Sequence, residues 1–387
     1  MTMPDAPRLR RPLAVGLASV AAAVAFAIAL LSVEKQLEIT ALICFAAFVV
    51  YAAARLRITA TVAEAFRAHE TAMNAGVLVG FVAMIAWFAE DHFPLLLLAT
   101  VLLYTTVAIG LNVQFGYSGI VNFAAASFFG VGAYTAAVVV KYTSVPHLLA
   151  LPLGGIVAAL MGALLMVPML RTKGHYTAVV TIAFAILFKT FLEVNDALGG
   201  PQGIRIRGMN VFGWSPNTPI ELGSLEISQY ATYGLVALAL AAVAFVLTRR
   251  LERSWIGLMM DSVRIDETAA ACFGVEIAWW KMVAFTWGNC LAGTAGALYA
   301  LMVGYIAPNN FTFGDSLILV SIVLIGGIGN LWGAVIASAL VVILPEKFQV
   351  IQEYRFLLYA GLVILLLLFR PQGLLPRRMR AYLGSAS

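Results

Sequence analysis

Charged residues are scarce in this chain of 387 residues: Asp, Glu, Lys and Arg together make up 11% of it. The net charge of +5 comes from short basic segments between apolar runs rather than from a patch suited to nucleic acid, so no nucleic-acid partner is expected. The three cysteines, Cys44, Cys272 and Cys290, follow no metal-binding or redox spacing. We therefore expect neither disulfides nor a metal site.

Known catalytic motifs are also missing from the sequence. It has no HExxH, no GxSxG in a fitting context, no paired aspartates within an apolar run and no GxxxxGK[ST] phosphate-binding loop. The glycine-rich stretch at 326–330 lacks the strand and helix context of a dinucleotide-binding loop. We expect no catalytic residue and no cofactor on this chain. If nucleotide hydrolysis drives its action, a separate polypeptide must supply it.

Hydrophobic residues dominate instead, at 62% of the chain. They form repeated runs long enough for a helix to cross a bilayer core of about 30 Å. The runs predict an all-α, polytopic integral membrane bundle with about 10 to 12 spans. We place the spans at 13–31, 38–54, 73–89, 94–111, 120–140, 148–170, 176–194, 229–248, 282–303, 316–329, 331–345 and 356–370. The tenth and eleventh are short and meet at 326–330, which predicts a broken or re-entrant pair.

The placement of lysine and arginine predicts the orientation of the bundle. If the amino terminus is cytoplasmic, 17 of the 24 basic residues lie in cytoplasmic segments, which by the positive-inside rule favours an N-in, C-in topology. Those 17 are Arg8, Arg10, Arg11, Arg55, Arg57, Arg67, Arg171, Lys173, Arg249, Arg250, Arg253, Arg264, Lys281, Arg370, Arg377, Arg378 and Arg380. Lys189 falls within a predicted span, where Glu193 one turn later can pair with it. The basic loop at 249–281 then faces the cytoplasm.

The first span has an alternative interpretation. Arg8, Arg10 and Arg11 precede an alanine-rich run that resembles a secretory signal peptide. The apolar run from Leu13 to Val33 is longer than the hydrophobic part of such a signal, so we expect a retained helix.

Two stretches rich in glycine and amide side chains interrupt the apolar pattern, one at 111–123 and the other at 326–330. Unwound backbone within a membrane is tolerated only where it lines a cavity or is buried in protein, and paired interruptions indicate a transport path. Glycine also permits close helix packing, and amides also join helices by hydrogen bonds, so those alternatives stay open. The candidate pathway residues are Gly116, Tyr117, Ser118, Gly119, Asn122, Thr181, Gly326, Gly327, Gly329 and Asn330, with Asn122, Thr181 and Asn330 as polar contacts.

The loop at 249–281 contains a short capped helix. Asp266 can cap its amino end, Glu267 complements the helix dipole, and Gly274 can adopt the left-handed conformation that ends a helix. Ala269, Ala270 and Ala271 leave a surface of low relief between these caps. A helix of about two turns is marginal in water, so it must pack on its own bundle or in the groove of a partner protein.

The outer loop at 199–228 is rich in glycine and contains Trp214, Pro216 and Pro219. This composition predicts an ordered, turn-rich cap without room for a separate domain. A docking surface for an external protein and a plain connector are equally compatible with it.

Six stretches, in this order along the chain, resemble a known family. They are LNVQFGYSGIVNFAAASFFGVGAYTAA at 111–137, GHYTAVVTIAF at 174–184, GGPQGI at 199–204, DETAAACFGVEIAWWKMVAF at 266–285, AGTAGALYA at 292–300 and LIGGIGNLWGAVIASALVVILPE at 324–346. Together they resemble the permeases of ABC importers of the branched-chain amino acid type, a family that also includes urea and short-amide permeases. The resemblance covers about 94–375. It implies three segments: a variable transmembrane extension at 1–93, a permease core at 94–375 that includes the coupling loop 249–281, and a cytoplasmic basic tail at 376–387.

The resemblance also implies partners. It implies a transport subunit of the bacterial inner membrane that pairs with a homologous permease, sits on two cytoplasmic ATPases that carry ATP and Mg, and receives a small-molecule cargo from a periplasmic binding protein. Glu267, Ala269, Ala270 and Gly274 match the family's coupling motif, whose helix rests in a cleft on the ATPase; with the cap Asp266 they are the ATPase-coupling candidates. Alternating access driven by ATP, with branched-chain or other apolar amino acids as cargo, is the implied mechanism.

Two positions depart from the family pattern. The chain has Ala124-Ala125 where the family often reads Gly-His, and Ala185-Ile186 where it often reads Gly-Glu. Both changes remove polar groups from the membrane and favour an apolar cargo over urea. The alternatives are a urea or short-amide permease of the same family and an ion-coupled secondary transporter. The latter usually shows acidic residues inside its spans, which this chain lacks away from the span ends.

Overall fold

The computed structural model describes residues 12–56, 58–143, 145–172, 176–206, 208–209, 220–222, 225–348, 354–370, 372–375 and 377. Most of these residues are α-helical. The helices are α1 (Pro12–Ser32), α2 (Gln36–Arg55), α3 (Ile58–Ala68), α4 (Glu70–Trp87), α5 (His92–Asn112), α6 (Ala125–Tyr142), α7 (Ala150–Met169), α8 (Tyr176–Val194), α9 (Gln229–Arg253), α10 (Trp255–Ile265), α11 (Glu267–Cys272), α12 (Ile277–Val303), α13 (Phe313–Gly326), α14 (Leu331–Lys347) and α15 (Arg355–Phe369).

Within the described residues, nine helical stretches are long and apolar enough to cross a membrane. The chain is therefore a polytopic helical membrane protein, as its composition predicts. Each of the twelve predicted spans overlaps a helix of at least 14 residues, because run length and hydrophobicity together determine where a membrane helix forms. The N-in, C-in orientation stays a prediction from the positive-inside rule.

Two helices were not predicted, α3 and α10, each 11 residues long. Both are amphipathic, and both lie in segments that the sequence analysis treated as connecting loops. In α3, Ala65 is fully buried, and Gly16 of α1 lies directly against it. Only apolar runs long enough to cross a membrane predict a span. Helices of 11 residues are therefore missed, although their apolar residues recur at helical spacing.

The centre of the bundle is α12, which packs closely against α6 and α7. Glycine makes this approach possible. A β-carbon on Gly132 would lie 1.9 Å from the carbonyl oxygen of Gly293, and one on Gly296 would lie 1.8 Å from that of Phe129. Between membrane helices close van der Waals packing drives association, so small residues at the contact are stabilising. The packing alternative for the chain's glycines therefore holds at these positions.

Two charged side chains help to tie the four amino-terminal helices to the rest of the bundle, where Phe66 of α3 also packs against Trp332 of α14. The Lys347 ammonium of α14 donates hydrogen bonds to the carbonyl oxygens of Leu31 at 2.7 Å and Val33 at 2.9 Å, at the end of α1. At the start of α4, Glu70 forms ion pairs with Arg249, at 2.8 Å, and with Arg253 of α9. Besides this, α1 packs along α4, with Gly80 against Val24.

The loop after α8 contains three of the four strands in the described part of the chain, and the fourth follows α12. Strand β1 (Ile204–Arg205) pairs antiparallel with β4 (Tyr305–Ile306), and β2 (Ile220–Leu222) pairs with β3 (Leu225–Ile227). The predicted ordered, turn-rich cap is confirmed over the described part of the loop, while Trp214, Pro216 and Pro219 lie outside it. These two-stranded pairs are a small departure from the all-α prediction. At the end of α8, Lys189 pairs with Glu193 at 3.2 Å, as predicted.

Candidate functional site

The first predicted break begins where α5 ends. The helix widens into a π-helical turn, Val113–Tyr117, and the next residues, 118–124, are not helical until α6 begins. The amide of Ile120 folds back to donate to the Gln114 carbonyl oxygen at 2.8 Å, and Gly119 has a positive φ of 72°. π-Turns are rare and concentrate at functional sites. The predicted unwound backbone is confirmed at 118–124, whereas Gly116 and Tyr117 still belong to the π-helical turn.

The second predicted break separates α13 from α14. Gly327 and Gly329 have φ values of 107° and 85°, which glycine adopts far more readily than other residues. The Asn330 side chain then caps α14 by accepting hydrogen bonds from the amides of Trp332 at 3.0 Å and Gly333 at 3.3 Å. With 14 residues, α13 is only about 21 Å long, which is short of a bilayer core of about 30 Å. The predicted broken pair is confirmed.

The two breaks meet. Gly116 lies directly against Gly329. Asn112 fixes this contact, because its carboxamide oxygen accepts a hydrogen bond from the Gly329 amide at 2.8 Å and its nitrogen donates to the Asn330 carbonyl oxygen at 3.4 Å. Residues more than 200 positions apart in the sequence thus form one backbone junction.

Three buried amide side chains hold the non-helical segment 118–124. Asn122 donates to Gln114 at 2.8 Å and to the Asn289 oxygen at 3.2 Å, and Gln114 donates to the same Asn289 oxygen at 3.0 Å. Asn122 also accepts a hydrogen bond from the amide of Ala124 at 2.9 Å. The Asn289 nitrogen has no hydrogen-bond partner among the described residues. All three side chains are buried, so this amide cluster is a polar point inside an apolar bundle.

The polar candidates fall into two places. Thr181 lies beside the amide cluster, since its hydroxyl accepts a hydrogen bond from the Phe123 amide at 3.1 Å. Asn330 lies at the junction of the breaks instead, with Gly329. Ser118 turns inward and donates to the Gln114 carbonyl oxygen at 2.9 Å. Gln114 and Asn289 are not among the predicted site residues, although an amide within an apolar run such as that of α12 is a usable signal.

The capped helix predicted at 266–274 is α11. Asp266 accepts hydrogen bonds from the amides of Thr268 at 2.8 Å and Ala269 at 3.0 Å. At the other end Gly274 has a φ of 78°. Its amide donates to the Ala271 carbonyl oxygen at 3.0 Å, and the Val275 amide donates to the Ala270 carbonyl oxygen at 3.1 Å. This is the Schellman arrangement that terminates helices. Both predicted caps are confirmed.

One face of α11 is buried within the chain. Ala270 is 4% exposed and belongs to an apolar cluster that includes Met260 and Trp280. The same cluster contains Val113 and Tyr117 of the π-turn. The short helix and the first break therefore share one packed core, so Ala270 does not lie on the free surface of the helix.

The other face of α11 is open. Ala269 and Ala271 are exposed, and the Phe273 side chain is 89% exposed. Glu267 at the first turn pairs with Lys281 of α12 at 2.6 Å, which fixes the helix to the bundle. The result is a capped helix with an apolar outer face of small relief and one projecting aromatic ring. Such a face suits the groove of a partner protein.

Charged residues that the sequence analysis did not connect converge on the first break. The Gly116 carbonyl oxygen accepts hydrogen bonds from Arg264 at 2.5 Å and from Arg377 at 2.9 Å, and Arg377 forms a two-pronged ion pair with Asp261 at 2.7 and 2.9 Å. Burial, together with the nearby charge of Arg377, lowers the pKa of Arg264. Arg377 belongs to the predicted basic tail, and it folds back on the core; residues 378–387 lie outside the described part.

Comparisons with known proteins place the chain among transport proteins. The sequence model of a family described as branched-chain amino acid transport system, permease component, matches residues 93–369. The chain is 34% identical over 291 residues to the high-affinity branched-chain amino acid transport system permease protein LivM of Escherichia coli (strain K12), an alignment that covers 71% of this chain and 68% of that protein. For LivM of Salmonella typhimurium the identity is 33% over 289 residues, with the same coverage. A probable branched-chain amino acid transport permease protein of Methanocaldococcus jannaschii is 24% identical over 332 residues, which cover 71% of this chain and 91% of that protein. No solved structure matches the chain.

Proposed function

Because this chain belongs to the family of branched-chain amino acid transport permease components, we propose that it moves branched-chain or other apolar amino acids inward across the bacterial inner membrane as part of an ATP-driven importer. The chain itself is a transport subunit rather than an enzyme. The proposed partners are a homologous second permease, two cytoplasmic ATPases that carry ATP and Mg, and a periplasmic binding protein that delivers the cargo. The observation that carries the proposal is the position of α11, which combines an exposed apolar face with a buried connection to the first break.

The energy would enter through α11. An ATPase that binds its exposed face at Ala269 and Phe273 gains a rigid attachment, because both ends of the helix are capped. Ala270 on the opposite face packs in one cluster with Val113 and Tyr117. A displacement of α11 by closure of the ATPase dimer therefore reaches the π-turn through packed side chains, without a flexible linker between them.

The path for the cargo would follow the two breaks. In the described conformation the junction of Gly116 and Gly329 is closed, and the amide cluster is buried. Alternating access results if the Gly116–Gly329 junction and the amide cluster open one after the other. An amino acid carries a carboxylate, and backbone N–H groups at the amino ends of α6 and α14 can receive it without a charged side chain in the membrane once opening releases them from their present partners, Ser316 and Asn330. The scarcity of charge within the spans supports this mode of recognition.

The test is reconstitution of the complex in proteoliposomes with its binding protein. Uptake of radiolabelled leucine should require ATP on the ATPase side and should survive an ionophore. Uptake that persists without the ATPases and collapses with the ion gradient would instead assign the chain to the secondary transporters. Urea or a short amide accepted in place of leucine would reassign the cargo within the same family.

The coupling role of α11 has its own test. Phe273→Asp places a charge on a side chain that is 89% exposed, so the permease should fold normally. ATPase co-purification and uptake should both fall about tenfold or more, as for an interface hot spot. Gly361→Ala is the matched control, since a β-carbon there meets no atom within 4 Å. Unchanged ATPase binding by Phe273→Asp would count against α11 as the attachment point.

A further inference from the structure

The chain past α15 forms a short strap, residues 372–375 and 377, over the end of α13. The amide of Leu374 donates to the Ile325 carbonyl oxygen at 2.9 Å, and that of Leu375 donates to the Gly326 carbonyl oxygen at 3.1 Å. Gly373, with a φ of 80°, lies against Gly327 so closely that a β-carbon would be 2.4 Å from its Cα. The strap is thus fixed to the second break by backbone contacts.

The strap ends in a buried arginine. The Arg377 guanidinium forms two hydrogen bonds with the Asp261 carboxylate, at 2.7 and 2.9 Å, and the side chains are 9% and 8% exposed. It also donates to the Gly116 carbonyl oxygen at 2.9 Å and lies over the Tyr117 ring at 4.3 Å. A planar guanidinium suits this combination of a forked ion pair and aromatic stacking, which a lysine cannot reproduce.

Asp261 connects this arginine to the coupling segment. It lies on α10, which leads directly into α11. Arg264, one turn later on α10, donates to the same Gly116 carbonyl oxygen at 2.5 Å. Two positive charges therefore approach one carbonyl group, and the Asp261 carboxylate offsets their repulsion. Arg264 is exposed, so solvent screens its repulsion, whereas the Arg377 side chain is buried and would lack a counter-charge without the Asp261 carboxylate.

We propose that Arg377 is a positioning residue of the transport cycle, which ties α10 and α11 to the junction of Gly116 and Gly329. The strap lies on the second break, the Gly116 carbonyl belongs to the first break, and Asp261 belongs to the coupling segment, so one side chain joins all three. A movement of α11 that displaces α10 pulls on Asp261 and hence on the junction itself. This inference rests on the proposed function, and it assigns a role to a segment beyond the region 93–369 that the family model matches.

The test measures uptake and ATP hydrolysis together in the reconstituted complex. Arg377→Gln and Asp261→Asn should each lower the amount of leucine transported per ATP hydrolysed by about fivefold or more, the usual scale of coupling between sites. Assembly with the ATPases and hydrolysis itself should persist. The double variant should resemble either single variant, because residues of one pair act non-additively. Arg370→Gln, an exposed arginine just before the strap, is the matched control and should transport normally.

Several outcomes would overturn the inference. One is a wild-type ratio of uptake to hydrolysis in both single variants. Another is a parallel loss of assembly, hydrolysis and uptake in both Asp261→Asn and Arg377→Lys, which would indicate a purely structural ion pair. If Arg377→Gln does not assemble, Arg377→Lys keeps the charge without the fork and should still show a reduced ratio. A wild-type complex without ATP-driven uptake would refute the proposed function, whereas normal wild-type uptake with unchanged variant ratios would refute this inference alone.

Discussion

A β-carbon placed on Gly116 would lie 2.4 Å from the Cα atom of Gly329. No side chain fits between these residues, so the two interruptions of the membrane helices touch backbone to backbone. Gly329 also has a φ of 85°, whereas Gly116 lies in the π-turn with no positive φ. The two positions therefore need glycine for different reasons, one for contact alone and the other for contact and conformation.

Gly116→Ala separates the contact from backbone conformation. Alanine is compatible with the backbone at 116, but its methyl group must displace the second break. Overpacking of this kind costs about 1–3 kcal/mol, so the closed junction should be weakened while the bundle stays folded. We expect uptake in proteoliposomes to fall about tenfold, since each 1.4 kcal/mol corresponds to a factor of ten. Gly361→Ala is the control, and uptake equal to that of the wild type would show that the junction need not close.

The two faces of α11 can be distinguished with adjacent alanines. Ala270→Leu inserts a larger side chain into the cluster with Met260 and Trp280, so thermal unfolding in detergent should show a loss of about 1–3 kcal/mol. Ala269→Leu adds the same atoms on the exposed face, where stability should change little. Ala269→Leu, unlike Ala270→Leu, should weaken binding of the ATPases without lowering the stability of the permease. Equal effects of both variants on stability would contradict the described burial.

How far the sequence predicts this molecule depends on the range of the interactions involved. The caps Asp266 and Gly274 and the spans themselves follow from neighbouring residues, and they are predicted correctly. The contacts of Gln114 with Asn289 and of Arg377 with Asp261 join residues more than 100 positions apart. No local pattern encodes such pairs, so Arg377 resembles an ordinary basic tail until the fold is known. The short amphipathic helix α10 is missed for the separate reason that its length falls below a membrane span.

Gly274→Ala tests conformational strain without steric clash. Gly274 has a φ of 78°, and a β-carbon there would meet no atom within 4 Å. The expected cost is therefore only that of a left-handed alanine, about 1–2 kcal/mol, which should loosen the end of α11. Hydrogen exchange should become faster at the backbone amides of positions 274 and 275 than in the wild type. Gly274→Asn should recover part of the protection, because asparagine tolerates this conformation better than alanine does. Identical exchange in both variants would argue against strain as the cause.

The amide cluster should stabilise the first break. Asn122→Ala removes the donor to Gln114 and the acceptor of the Ala124 amide, and leaves both groups buried. An unsatisfied buried polar group costs about 1–3 kcal/mol, so the thermal midpoint should fall and uptake with it. Asn309→Ala, at an exposed asparagine, should leave both unchanged. A fully stable Asn122→Ala permease would mean that the cluster contributes little to the described conformation.

Lys347 should hold the amino-terminal helices on the bundle. Its ammonium group donates to the carbonyl oxygens of Leu31 and Val33, which are among the groups left unpaired at the end of α1. A cation at this end of a helix also interacts favourably with the helix dipole. Lys347→Met keeps much of the side-chain volume but leaves these carbonyl oxygens without their donor. The expected loss is about 1–3 kcal/mol, since the side chain is 9% exposed and its partners lose a charged hydrogen bond.

The measurement for Lys347→Met is limited proteolysis in detergent, followed at the segment between α1 and α2. Cleavage there should become faster than in the wild type, while the region from α5 onward stays protected, because α1 makes most of its other contacts with α3 and α4. Lys35→Met is the control, since the Lys35 side chain is 81% exposed and its ion pair is with Glu38, three residues away, at 3.3 Å. Unchanged cleavage in Lys347→Met would mean that the remaining contacts, among them those of Glu70 with α9 and of Phe66 with Trp332, are enough to hold the four helices in place.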